Sequence, residues 1–134
     1  MPHLFILYTP DLEAQADVGG LCRKLADVML AARDEGGKPV FPTGGTRVFA
    51  LQAQHHAVAD GSGEHGFMYF NLRMGRGRST AVHQAVGEAL RDAARQHLAP
   101  LLQRRHLGLT LQIDEGQEVF DAKFGNLHPL FNRG

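Results

Sequence analysis

Two apolar stripes constrain this chain more than any other feature. Leu21, Leu25, Val28, Met29 and Ala32 recur at helical spacing, and about 61 residues later Val82, Val86, Ala89, Leu90 and Ala93 repeat the pattern. Such a stripe buries one face of a helix. Asp17 and Ser79 stand where an N-cap side chain accepts the first free backbone N–H groups. Gly36-Gly37 is expected to end the first helix, and Pro100 to kink or break the second near its end.

The segments around the helices read as strands. Pro2 to Tyr8 is short, apolar and rich in β-favouring side chains. Thr46 to Val58 contains a second strand, with Arg47, Phe49, Leu51 and Ala53 on one face. Gly66 to Met74 is a third, and Leu107, Leu109, Leu111 and Ile113 alternate as a half-buried fourth. Strand, helix, strand thus occurs twice. The expected fold is α/β (α+β): a doubled β-α-β unit in one domain over residues 1–134, with pseudo-repeat halves of about 1–60 and 61–134. Right-handed crossovers place both helices on one face of a four-stranded mixed sheet. The other face is left without cover. The C-terminal stretch Glu118 to Gly134 carries Phe120, Phe124, Leu127, Leu130 and Phe131, and is expected to pack on its own domain or on a neighbouring subunit.

Composition narrows the function. Fourteen basic residues balance fourteen acidic ones, so no bulk field holds nucleic acid or an anionic membrane. No apolar run approaches the roughly 20 residues of a membrane span, and no basic region precedes a hydrophobic one as in a signal peptide. The single cysteine, Cys22, permits no internal disulfide and suits a reducing compartment, so a cytoplasmic location is expected. Cys22 sits beside Leu21 in the first helix and reads as packing rather than as a nucleophile. His55 and His56 would point to opposite faces of the second strand, and the eight histidines show no ligand spacing, so neither metal nor cofactor is expected.

Chemistry points first to Pro2. Removal of Met1 would turn its nitrogen from an amide into a secondary amine, and burial with nearby cations lowers an amine's pKa towards the range of general acid–base catalysis. Two arginines stand out by position. Arg78 lies at the start of the second helix, where unpaired N–H groups already favour an anion. Its planar fork suits a carboxylate. Arg47 opens the second strand directly after Gly44-Gly45-Thr46. The Gly75 to Ser79 turn lacks the spacing and lysine of a phosphate loop.

These residues converge on a family. Pro2-His3, Phe41-Pro42 with Gly45-Thr46-Arg47, Asp60-Gly61, Gly75-x-Gly-Arg78-Ser79 and the closing Lys123, Asn126-Leu127-His128 and Leu130-Phe131 occur in this order over essentially the whole chain. In that order and spacing the chain resembles 5-carboxymethyl-2-hydroxymuconate isomerase, of the tautomerase superfamily. The resemblance implies a homotrimer with the sheets facing inward. It also implies a cofactor-independent isomerase of homoprotocatechuate breakdown that turns a 2-hydroxydienoate into its 2-oxo isomer. Pro2 would be the base, and Arg47 and Arg78 the catalytic cations that bind carboxylates. Phe49 and Ser79 would line the substrate site. Family members carry a second basic residue where this chain has Phe49, which implies a substrate with one fewer carboxylate or a larger apolar portion.

Two other readings remain open at this point. A trimeric module of the same fold would bind a small carboxylate without turnover. A ferredoxin-like regulatory domain would place Pro2 far from Arg47 and Arg78.

Overall fold

The computed structural model of the chain describes residues 2–131. Its strands are β1 (His3–Tyr8), β2 (Arg47–Gln52), β3 (Gly66–Met74) and β4 (Leu107–Glu115), and its long helices are α1 (Val18–Ala31) and α2 (Thr80–Leu102). Single 3-10 turns lie at Pro10–Leu12, Thr43–Gly45 and His128–Phe131. The sheet order is β2-β1-β3-β4; β1 runs parallel to β2 and β3 to β4, while β1 and β3 meet antiparallel. Two β-α-β units therefore join through their first strands, as the repeat predicts.

Alternation assigns the two sheet faces. Leu4, Ile6 and Tyr8 of β1 and Met68, Phe70, Leu72 and Met74 of β3 are buried, whereas the residues between them are half-buried or exposed. The buried set packs against Leu21, Leu25 and Met29 of α1 and Val82, Val86, Leu90, Ala94, Leu98 and Leu101 of α2. Both helices thus cover one face. Each leucine removed from water there contributes roughly 1.5–3 kcal/mol. The second stripe shifts as α2 lengthens: Ala89 is exposed, and Ala94, Leu98 and Leu101 carry the buried face onward.

Both caps form as expected. The Asp17 carboxylate accepts from the Gly20 N–H at 3.2 Å, and the Ser79 hydroxyl accepts from the Val82 N–H at 3.2 Å. At position 20 a Cβ would lie 2.2 Å from the Asp17 carboxylate, so a larger residue there displaces the capping side chain.

Three expectations are corrected. The first helix ends at Ala31, before Gly36-Gly37. Asp34 captures the N–H groups of Gly36 and Lys38, both at 2.9 Å, and so turns a short hairpin in which Gly37 adopts a φ of 79°. Local side-chain bonding of this kind competes with a helix. The second strand ends at Gln52, so His55 and His56 lie in the bend beyond it, where His56 Nδ1 sits 3.0 Å from the Ala53 carbonyl. Pro100 lies within α2, which ends two residues later at Leu102.

Candidate active site

One end of the sheet collects several of the residues singled out in the sequence. Because β1 and β2 start there and β3 and β4 finish there, Pro2, Arg47, Arg73 and Glu115 share that edge. Pro2 is buried immediately before β1, and its carbonyl accepts the Arg47 N–H at 3.3 Å. The register sets His3 opposite Arg47 on one side and opposite Arg73 on the other. Burial pulls the His3 pKa below its ordinary value, and the charges of Arg47 and Arg73 add to the effect. A cation placed beside Pro2 meets the same disfavour.

The loop before β2 links the two expected arginines. Arg47 Nη1 donates to the Gly45 carbonyl at 3.3 Å, and Arg78 Nη2 donates to the Val40 carbonyl. Arg78 follows β3 at the same end of the sheet, so its reach to Val40 spans 38 positions of sequence. Ser79 has two commitments: it caps α2, and its hydroxyl donates to Glu35 Oε2 at 2.6 Å, which holds that carboxyl below its usual range. Its part is to fix the turn that presents Arg78.

Phe49 lies on the face opposite the helices, one register step from Arg47. Its ring packs tilted against Phe5 at 5.5 Å and stands edge-on to His3 at 6.4 Å. A cavity of about 720 Å³ runs beneath β2, lined by Cys22, Arg47, Phe49, Leu127 and Phe131 among others. Cys22 is half-buried and burial raises its thiol pKa, in keeping with packing. A second cavity of about 500 Å³ lies between α2 and β4 and is lined by none of Pro2, Arg47 or Arg78.

Sequence reasoning missed Arg73 and the path of the C-terminal segment. The Gly116 N–H donates to the Met74 carbonyl at 2.9 Å, and Glu118 pairs with Arg73 at 3.3 Å. Further on, His128 packs against Gly44, where a Cβ would come 2.6 Å from the His128 Cα. These anchors lie at the ends of β3 and β2, on either side of Pro2. Between them Val119, Phe120 and Phe124 are exposed. Among its described residues the tail thus meets its own chain at Glu118 and His128; its last three residues, like Met1, lie outside the described residues. Alternation on β3 could have drawn attention to Arg73, a charge closing a strand otherwise rich in apolar residues.

The third reading fails on this geometry, since Pro2 and Arg47 are hydrogen-bonded neighbours. Among the described residues no helix is long and apolar enough to cross a membrane, and no group of three His, Cys, Asp or Glu side chains is arranged to hold a metal.

Comparison with known proteins agrees in extent. A family model for 5-carboxymethyl-2-hydroxymuconate isomerase matches residues 2–131. The 5-carboxymethyl-2-hydroxymuconate Delta-isomerase of Escherichia coli is 29% identical over 131 residues, covering 98% of this chain and 99% of that protein. A crystal structure of a 5-carboxymethyl-2-hydroxymuconate delta-isomerase superposes with a TM-score of 0.96 at 59% identity, covering 100% of this chain and 95% of that one. The isomerase from Deinococcus radiodurans R1 gives a TM-score of 0.87 at 32% identity, with 98% and 95% covered. A fused 4-OT, at 17% identity and a TM-score of 0.65, shares the fold alone, over 98% of this chain and 99% of its own. With its doubled β-α-β sheet and its match over nearly the full length, this chain belongs to the 5-carboxymethyl-2-hydroxymuconate isomerase family and is an isomerase of the tautomerase fold.

Proposed function

We propose that the chain, as a single tautomerase-like domain over residues 1–134, ketonises 5-carboxymethyl-2-hydroxymuconate or a close relative by proton relay through Pro2. Once Met1 is removed, the neutral Pro2 amine takes the proton of the 2-hydroxyl. The oxygen's electrons form the C2 carbonyl, the conjugated double bonds shift by one position, and the far carbon of the diene receives the proton back from Pro2. Atoms and charge balance without a metal or organic cofactor. Arg47 and Arg78 hold carboxylates of the substrate and stabilise charge that develops at its 2-oxo end. Phe49, packed against Phe5, supplies an apolar wall.

The observation that carries this reading is the buried Pro2, bonded through its carbonyl to Arg47 and set beside the lowered pKa of His3. Burial and cations keep an amine neutral near pH 7, where a base must be unprotonated to act. Pro2→Ala should lose about a hundredfold or more in kcat for ketonisation. Arg78→Ala should lower kcat/KM about ten- to a hundredfold, the value of a charge-assisted contact. Turnover by Pro2→Ala at the parent rate would overturn the assignment.

The enzyme acts as a homotrimer in the cytoplasm. The sheet face opposite the helices supports self-association: Phe5, Leu7, Phe49 and Leu51 lie side by side on β1 and β2, and Phe49 and Leu51 are 43% and 56% exposed. A contiguous apolar patch on a sheet face marks an interface.

A further inference from the structure

Resting on that reading, the charge count at the end of the sheet carries one step more. A muconate has two carboxylates and its carboxymethyl group adds a third. Arg47 and Arg78 account for two of them, and Phe49, standing where family members carry a further basic residue, leaves the third to a cation elsewhere. We infer that Arg73 receives the third carboxylate, and that Glu118 is the resident carboxylate it displaces.

The placement follows from register. Arg47, His3 and Arg73 are direct partners across β2, β1 and β3, on the face away from the helices, one residue from Pro2. The next row on that face, Phe49, Phe5 and Asn71, supplies no cation. Arg73 would meet Asp114 across β4, but Asp114 accepts from Asn71 Nδ2 at 2.8 Å. In the isolated chain Arg73 instead turns to Glu118, with 58% and 42% of the two side chains exposed. An exposed ion pair of this kind is weak and easily exchanged. A carboxylate on a ligand already held by two other arginines arrives at high effective concentration, which puts it in competition with the tethered Glu118 for Arg73. The Glu118 carboxyl is held below its usual range by its own backbone N–H and by Arg73, so it is ionised and competes as an anion at neutral pH.

The test compares two substrates. 5-Carboxymethyl-2-hydroxymuconate has the third carboxylate, and 2-hydroxymuconate lacks it. Arg73→Gln should raise KM for the first about tenfold or more, leave its kcat within about threefold, and leave KM for the second within about twofold. Arg73→Lys should recover part of the loss, which separates charge from fold. Glu118→Gln, by removing the competitor, should lower KM for the tricarboxylate alone, and Arg76→Gln should change neither. An equal rise of KM for both substrates in Arg73→Gln, or no rise for either, overturns the inference while leaving Pro2 as base. Absence of turnover of both substrates by the parent enzyme would instead strike the reading beneath it.

Discussion

His3 reports the electrostatic character of the position next to Pro2. Burial and the flanking Arg47 and Arg73 disfavour its protonated form in the folded chain, whereas the unfolded chain protonates it near pH 6.5. Between the lowered native value and pH 6.5 the unfolded state therefore binds more protons, so stability falls as pH drops through that window and is fully present above it. An NMR titration should place the His3 midpoint below 6.5, and His3→Gln should flatten that part of the stability profile. A His3 midpoint at or above 6.5 would mean that burial and the flanking cations do not govern this position. Pro2, Arg47 and Arg78 were singled out in the sequence because each stands at a boundary, before a strand, after a glycine pair and before a helix, and the structure sets Pro2 beside Arg47. Arg73 was not, because its partner Glu118 lies 45 residues away and no local pattern ties them.

At the scale of elements, period decided what could be read. The stripes of α1 and α2 and the alternation of β3 and β4 repeat often enough to place each element, and Asp17 and Ser79 cap the helices as their types suggest. The end of α1 was hidden because Asp34, rather than the glycine pair alone, sets the turn. The C-terminal segment was hidden because its seat is backbone against backbone. Gly44→Ala puts a Cβ 2.6 Å from the His128 Cα, so the 3-10 turn His128–Phe131 must move. We expect a loss of about 1–3 kcal/mol in urea unfolding and faster proteolysis near residue 128. Gly19→Ala, with nothing within 4 Å of the added Cβ, should be neutral or slightly stabilising, so equal behaviour of the two variants would remove the role given to this contact.

For the whole molecule, the sheet has two unlike faces. One is sealed by α1 and α2; the other carries an apolar half on β1 and β2 and a polar half on β3 and β4. In the polar half Tyr69 donates to Gln112 at 2.9 Å and Asn71 to Asp114 at 2.8 Å. An interface centred on the apolar half predicts that Leu51→Glu lowers the assembly mass in sedimentation while the far-ultraviolet circular dichroism is retained. An unchanged assembly mass would place the interface elsewhere. The shortage of cover was legible in the sequence, since two helices can seal one face of four strands and no more.

The central claim is that a free Pro2 amine is the base. Intact mass and ketonisation rate, measured on the same preparations of the parent chain with graded retention of Met1, test it most directly. The rate should scale with the fraction of molecules that begin at Pro2 and vanish when Met1 is fully retained. Parent-like turnover by a preparation in which every molecule keeps Met1 would contradict it.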